Sequence, residues 1–301
     1  MAFINDFKRF FGQSSMLVRL ILINVFVFVL IRLLSIGTLL VTGDSMAVTQ
    51  WVALPGDLWS LLKRPWTLLT YMFVHADLWH ILFNMLWLYW MGSIFMEFFS
   101  SKQFSGLYLL GGWGGALLYL LAFNLRLASG AGSVLVGSSA AVIAIVVATA
   151  VYVPDYKIGL LFLGQVAVKW VAIVTVLIAV FSLDAGNVGG SIAHIGGAAV
   201  GAWFSVAIKR GSDITRPLNA IIDAFVALFN GRSMVKPQWL QGNRQSRKSR
   251  SASVGNSSSR RPSPEVSEEE LDAILDKIKA AGYDALTNEE RDKLFKVSRQ
   301  K

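Results

Sequence analysis

The amino-acid sequence predicts an all-α integral membrane protein of six spans with a small helical cytosolic tail. Of its 301 residues, 54% are hydrophobic and 16% are charged, whereas charged residues make up about 25% of soluble domains. The first 208 residues carry only 10 basic and 7 acidic side chains, too few to cover a water-facing surface of that size. An ordinary soluble enzyme and a purely disordered chain are therefore excluded.

The residue types that are missing narrow the possible chemistry. The chain has no cysteine, which rules out a disulfide framework, a thiol nucleophile and zinc sites built on thiolates. Histidine-based chemistry is easy to enumerate because only three histidines occur, namely His75, His80 and His194.

Six apolar runs account for residues 16–208, the predicted membrane domain. The preceding residues 1–15 are short and polar and lack a signal-peptide cleavage site, so a retained cytosolic N-terminus is expected. The fourth and fifth runs are short against the roughly 20 residues that a free-standing span needs, which suggests central helices shielded by their neighbours. The runs cover about Leu17–Leu40, His80–Phe99, Phe104–Leu125, Ser139–Val153, Val168–Phe181 and Ser191–Ile208.

The basic residues set the predicted orientation. If the N-terminus is inside, seven Lys and Arg residues fall in inside segments and three in outside segments, and an excess of these residues marks the cytoplasm. Both termini are therefore expected in the cytoplasm. Segment Thr42–Leu78 then becomes a long extracytoplasmic loop, whose tryptophans suit the membrane interface.

Two segments connect the last span to the tail. Residues 209–241 form a juxtamembrane segment, in which Pro217–Phe229 has an amphipathic helical pattern and is expected to lie along the inner surface. Residues 242–264 are rich in Ser and Arg and cannot build a core, so a disordered linker is predicted. Its charge either touches anionic lipid or stays solvated.

Residues 265–301 are predicted to form a helical hairpin. Ser267 with Glu270 and Thr287 with Glu290 are two capping boxes, each opening a helix. A unit below about 40 residues is marginal alone, so a cytosolic partner or self-association is expected to support it.

Polar residues at the starts of three spans define a candidate site. His80 and Asn84 are four residues apart and so share one face of the second span. Ser139 begins the fourth span and His194 lies near the start of the sixth. Because these spans run in the same direction, their first turns lie at similar depth, just below the extracytoplasmic surface. Polar residues inside spans are costly and mark functional sites by default.

These residues supply a nucleophile, a base and hydrogen-bond donors. A serine hydroxyl needs a neighbouring base, and His194 is the only histidine outside the second-span region. The backbone N–H of Ser139 and the side chains of His80 and Asn84 are candidate donors to an oxyanion. Gly137 would let the backbone approach a substrate closely. The alternatives without catalysis are that Ser139 only caps its helix and that His80 and Asn84 form a polar pair at the membrane interface.

Other residues are given packing or structural roles. Arg19 and Arg32 are expected to snorkel or pair without chemical roles, and Glu97 is expected either to make a structural hydrogen bond or to snorkel. The neighbouring Ser138 and Ser139 leave the choice of nucleophile open.

Close contact of the fourth and sixth spans is predicted from small residues, and Gly111 and Gly115 are interpreted as packing only. The small residues are Ala140, Ala144, Ala148, Gly197 and Gly201.

With these motifs the sequence resembles the rhomboid family of intramembrane serine proteases, and specifically a bacterial six-span member, over about residues 15–208. Each motif is short, but together they are highly specific. They are residues 64–84, which contain His-x(4)-His-x(3)-Asn, residues 137–140, which read Gly-Ser-Ser-Ala, and residues 193–201, which read Ala-His-x-x-Gly-x-x-x-Gly.

The resemblance implies a rhomboid-like bundle of six transmembrane helices in a bacterial inner membrane. It selects Ser139 over Ser138 as the nucleophile and makes His194 the base of a dyad without a carboxylate. It places His80 and Asn84 at the oxyanion hole. No metal, no organic cofactor and no nucleic acid is implied, and the implied partners are transmembrane protein substrates and membrane lipids.

Some residues depart from the family pattern. The nucleophile motif usually ends in Gly where this chain has Ala140, and the base is often stacked on an aromatic residue where this chain has Ile143. We expect the change at Ala140 to cost little activity, and the change at Ile143 to leave His194 held less firmly. Residues 268–295 look like a C-terminal appendage of rhomboids from Bacteroidetes-type bacteria.

The sequence thus predicts an intramembrane serine endopeptidase that cleaves transmembrane segments of its substrates near the extracytoplasmic face. One alternative is an inactive rhomboid-like protein that holds client spans without cutting them, which the presence of Ser139 and His194 disfavours. Another is a small transporter, which the lack of an internal repeat disfavours.

Overall fold

The computed structural model describes residues 14–126, 134–160, 164–181 and 188–229, together with separate residues between 270 and 293. The chain divides into two compact units, Met1–Pro237 and Gln238–Lys301. Predictions for the first 13 residues and for the linker 242–264 lie outside the described residues.

The first unit is built from ten α-helices and two short β-pairs among the described residues. A 3-10 turn, Tyr71–Phe73, follows the fourth helix. The helices are α1 Met16–Thr42, α2 Ala47–Val52, α3 Leu58–Lys63, α4 Thr67–Thr70, α5 Leu78–Phe98, α6 Ser101–Asn124, α7 Ser139–Tyr152, α8 Val168–Phe181, α9 Val188–Lys209 and α10 Arg216–Phe229. The antiparallel pairs join β1 Leu54–Pro55 to β2 Val134–Leu135 and β3 Lys157–Leu160 to β4 Gly164–Ala167.

Each of the six predicted apolar runs is a helix. Four of them, α1, α5, α6 and α9, are long and apolar enough to cross a membrane. Helices α7 and α8 are shorter, at 14 residues each. At 1.5 Å per residue they are about 21 Å long, less than the roughly 30 Å of a bilayer core. The count of six spans stays a prediction.

The two short helices differ in their surroundings. Helix α7 is buried on nearly every side, as expected for a central helix shielded by its neighbours. The same expectation is wrong for α8, where Val168 and Ala172 are the only buried residues among those whose side chains the structure describes. Trp170, Val174 and Ile178 are more than half exposed, so this helix lies at the edge of the bundle and turns an apolar face outward.

Small residues bring α7 and α9 into backbone contact, as predicted. A methyl group on Gly197 would overlap the carbonyl oxygen of Ala140, and one on Gly201 would overlap that of Ala144. The Ser205 hydroxyl continues the seam by donating to the Ala148 carbonyl at 2.6 Å. Helix α9 therefore cannot approach α7 this closely unless these positions are glycine.

This seam gives a stability prediction. We expect Gly197→Ala to lower the free energy of unfolding by about 1–3 kcal/mol, since the added carbon forces the two backbones apart. Gly37→Ala on α1 is the matched control, because nothing lies within 4 Å of a carbon added there; it should be neutral or stabilising by up to about 1 kcal/mol. Thermal unfolding of the two variants in detergent measures both. Equal midpoints would contradict the packing role of the seam.

The loop between α1 and α5 is folded. Trp51 and Trp66 stack with ring centroids 6.2 Å apart, and the Trp66 indole donates to the Trp51 carbonyl at 3.0 Å. Trp113 of α6 donates to the Leu68 carbonyl at 3.1 Å. Since β1 also pairs with β2, the loop is attached to the segment that leads directly into α7.

Helix α10 has the predicted amphipathic pattern. Its polar side is tied to the start of α6, where Lys102 pairs with Asp223 at 2.6 Å and the Asn219 amide donates to the Lys102 carbonyl at 3.0 Å. Its apolar side is exposed at Ile221 and Leu228. Its position along the inner membrane surface stays a prediction.

Glu97 and the tail also have the local contacts expected of them. The Tyr156 hydroxyl donates to the Glu97 carboxylate at 2.9 Å, a structural hydrogen bond. In the second unit, the Thr287 N–H donates to Glu290 and the Glu290 N–H donates back to the Thr287 hydroxyl, so this capping box is confirmed. The bond from the Thr287 backbone, with Lys277 beside it, lowers the pKa of Glu290 to about 2. Ser267 lies outside the described residues.

Candidate active site

Ser139 and His194 come together at the ends of two different helices. Ser139 is the first residue of α7, and its hydroxyl lies 2.8 Å from Nε2 of His194 on α9. The close α7–α9 seam begins one residue later, at Ala140. Tight packing of the two helices therefore fixes the distance between the two side chains.

The second ring nitrogen of His194 is held by the backbone of α8. Nδ1 lies 2.8 Å from the Ala179 carbonyl oxygen. A carbonyl can only accept a hydrogen bond, so Nδ1 carries the proton and Nε2 is left to accept the proton of the Ser139 hydroxyl. The orienting role that a carboxylate plays in a triad falls here to a backbone carbonyl.

The location of Ala179 explains why its carbonyl is available. Ala179 is among the last four residues of α8, whose carbonyls have no partner within the helix. The C-terminal end of a helix is also its negative end, which favours a positive charge placed there. The ring of His194 is thus anchored by a backbone carbonyl. That it is held less firmly without an aromatic residue at the position of Ile143 stays a prediction.

Gly137 and His80 face each other beside the nucleophile. Gly137 has φ of +121°, a conformation that side-chain-bearing residues rarely adopt. A carbon added to it would lie 2.8 Å from Nε2 of His80 and 3.6 Å from the Ser139 hydroxyl oxygen. The Gly137 N–H donates to the Tyr71 carbonyl at 3.0 Å, which fixes the loop. His80 therefore presents Nε2 next to the start of α7.

Caps on α5 orient His80 and Asn84. The Asp77 carboxylate accepts from the His80 N–H at 2.8 Å, so α5 begins at Leu78 and His80 lies in its first turn. The Ala76 N–H donates to Nδ1 of His80 at 3.4 Å, which leaves the proton of the neutral ring on Nε2. The Asn84 amide donates to the His80 carbonyl at 2.9 Å, and its second N–H remains for another acceptor.

A cavity of about 760 Å³ reaches these groups. It lies between α5 and α8, and its walls are mostly apolar. Ser139, His194, His80 and Asn84 all line it. The apolar lining includes Phe83, Trp87, Trp90, Trp170, Val174 and Ile178.

The structure separates the two neighbouring serines. Ser138 is fully buried, and its hydroxyl lies 3.1 Å from Nε2 of His75. Ser139 lines the cavity and Ser138 does not. The buried Ser138–His75 pair has no clear signal in the sequence beyond the spacing of His75 and His80, and it ties the loop before α5 to the start of α7.

Burial of His75 predicts a pH-dependent stability. Burial lowers the pKa of His75 to about 4, with the neighbouring His80 adding to the effect. An unfolded chain binds this proton below about pH 6.5, whereas the folded protein does so only near pH 4. The free energy of unfolding should therefore fall by up to about 3 kcal/mol as the pH drops through this window.

The measurement is the thermal unfolding midpoint in detergent between pH 7.5 and 4.5. His75→Gln, which cannot titrate, should lose part of this pH dependence. Identical slopes in the two proteins would show that His75 is not responsible.

A set of helices long enough to span a membrane, with a serine and a histidine in hydrogen-bond contact at the wall of a cavity, is the arrangement expected of an intramembrane serine protease. Residues 62–211 match the Rhomboid domain, and the chain belongs to the rhomboid family. Residues 265–300 match a family of unknown function, DUF6576. No curated protein matches the chain. The Rhomboid domain is that of intramembrane serine proteases, which act on transmembrane substrates.

Proposed function

We propose that this protein is an intramembrane serine endopeptidase that cuts transmembrane segments of its substrates near the extracytoplasmic face with a Ser139–His194 dyad. The observation that carries the proposal is the 2.8 Å contact between the Ser139 hydroxyl and Nε2 of His194 at a cavity wall. The family assignment supplies the reaction class.

The reaction begins with transfer of the hydroxyl proton of Ser139 to Nε2 of His194 as the oxygen attacks the scissile carbonyl carbon. The resulting oxyanion accepts hydrogen bonds from the backbone N–H of Ser139, from Nε2 of His80 and from the Asn84 amide. The Nδ1–H of the imidazolium remains hydrogen-bonded to the Ala179 carbonyl oxygen, at the negative end of α8.

Collapse of this intermediate breaks the carbon–nitrogen bond. His194 returns its proton to the leaving amine, and the acyl group stays on Ser139 as an ester. Water then enters from the extracytoplasmic face and gives its proton to His194. The water oxygen attacks the acyl carbon, and the bond from that carbon to the Ser139 oxygen breaks. His194 returns the proton to the Ser139 oxygen, which releases the acid product and regenerates the hydroxyl.

A substrate segment would enter between α5 and α8. A peptide bond inside a helix is shielded, so the segment must unwind near the site, and helix-breaking residues should favour cleavage.

We further propose that the protein lies in a bacterial inner membrane with both termini cytoplasmic, and that residues 16–208 form the six-span protease domain. The segments 209–241, 242–264 and 265–301 would be a juxtamembrane amphipathic segment, a disordered linker and a cytosolic hairpin that is supported by a partner or by self-association.

The test is cleavage of a single-span reporter by the full-length protein reconstituted in vesicles, with the product ends mapped by mass spectrometry. We expect one main cut near the extracytoplasmic end of the span, and a faster cut when Gly or Pro is placed there. If the protein binds spans of varied sequence but cuts none, a client-binding function replaces the protease.

A further inference from the structure

We infer that Arg32, on the first membrane helix, is a positioning residue for the oxyanion hole, acting through the peptide unit that fixes the ring of His80. This inference rests on the proposed function, in which His80 donates to the oxyanion. From the sequence, Arg32 was expected only to snorkel or pair. The inference gives it an indirect effect on the reaction rate.

An arginine within an apolar helix needs a compensating partner. Arg32 lies 16 residues into α1, and a charge at such a position is costly unless it is paired. Its guanidinium donates to the carbonyls of Ala76 and His75, the latter at 3.5 Å, and lies 5.2 Å from the Phe28 ring centroid. The charge is thus directed at two consecutive carbonyls in the turn before α5.

The peptide unit between His75 and Ala76 links Arg32 to His80. In a trans peptide the C=O and the N–H point in opposite directions. Arg32 contacts the oxygen of this unit, which belongs to His75. The N–H of the same unit, which belongs to Ala76, donates to Nδ1 of His80 at 3.4 Å. A donor at the oxygen polarises the amide and strengthens its N–H as a donor.

This bond determines which nitrogen of His80 can serve the reaction. With Nδ1 occupied as an acceptor, the ring proton lies on Nε2. Nε2 is the nitrogen that faces Gly137 and the start of α7. If the turn rotates or the ring changes tautomer, the donor to the oxyanion is lost although every catalytic side chain is still present.

The contact also holds the turn from outside the active site. Ala76 and Asp77 are exposed, so the turn that carries the His80 contact has little packing of its own on that side. The guanidinium bonds both carbonyls of the turn, which a lysine ammonium can imitate only partly because it lacks the planar fork of donors.

The experiment compares Arg32→Met and Arg32→Lys with wild type in reporter cleavage, with Arg19→Met on the same helix as the control. We expect Arg32→Met to lower kcat by about tenfold to a hundredfold with KM within about twofold, since part of one oxyanion donor is lost. Arg32→Lys should recover part of the rate, and Arg19→Met should keep it. Thermal midpoints identify any variant that fails to fold.

A double-mutant cycle with His80→Ala distinguishes an effect of Arg32 through His80 from a general structural effect. If Arg32 acts through His80, adding Arg32→Met to His80→Ala should lower kcat no further. Full activity of Arg32→Met, or losses that multiply in the double variant, would overturn the inference. If His80→Ala alone is fully active, the oxyanion role of His80 in the proposed function fails instead.

Discussion

Ser139→Ala is expected to abolish peptide-bond cleavage, with kcat reduced by about 10⁴-fold or more. Without the hydroxyl no acyl-enzyme can form. His194→Ala should cost a similar factor, because an unassisted serine hydroxyl is a weak nucleophile. The double variant should be no worse than either single one, since the two groups act as a unit. Cleavage of a reconstituted reporter measures all three.

Ser138→Ala is the matched control for this prediction. Ser138 is adjacent in sequence, but its hydroxyl is buried against His75 at 3.1 Å. The variant should remain active, with stability reduced by about 1 kcal/mol for the lost hydrogen bond. An inactive but folded Ser138→Ala together with an active Ser139→Ala would place the nucleophile one residue earlier.

His80→Ala is expected to lower kcat by about 10²–10³-fold with little change in KM, because a donor that meets the oxyanion stabilises the transition state and not the bound substrate. Asn84→Ala should act in the same direction.

Trp79→Ala is the control for the oxyanion prediction. Trp79 precedes His80 in the first turn of α5 and is 66% exposed, so its removal tests general damage to this end of the helix. Steady-state kinetics of the three variants separate kcat from KM. A loss in His80→Ala that appears only in KM would indicate substrate binding and contradict the oxyanion role.

Some of the site could be predicted because its determinants are local. The spacing of His80 and Asn84 on one helix face follows from helical geometry. Small residues at Gly197 and Gly201 predicted the close approach of α7 and α9. The nucleophile could not be chosen between Ser138 and Ser139 on those grounds, and only the resemblance to the family motif selected one of them.

Other contacts have no signature in the sequence because backbone atoms make them. The Ala179 carbonyl that orients His194 is provided by the end of α8, and any residue type supplies a carbonyl. The same holds for the carbonyls that Arg32 binds. The exposed position of α8 was missed because its apolar composition is the same for a lipid-facing helix and a buried one.

The family departure at Ala140 has a packing explanation. The methyl group of Ala140 faces Gly115 of α6, where an added carbon would approach it to 2.5 Å. On the other side its carbonyl is in contact with Gly197. Because Gly115 has no side chain at this contact, the methyl group of Ala140 fits against α6.

The central claim is that His194 activates Ser139. It is tested most directly by treating the folded full-length protein in detergent with a fluorophosphonate, which bonds covalently to activated serine hydroxyls, and mapping the adduct by mass spectrometry. The predicted result is one adduct on Ser139 in the wild type and almost none in His194→Ala. An adduct on Ser138, or labelling of Ser139 that is equally fast without His194, would contradict the claim.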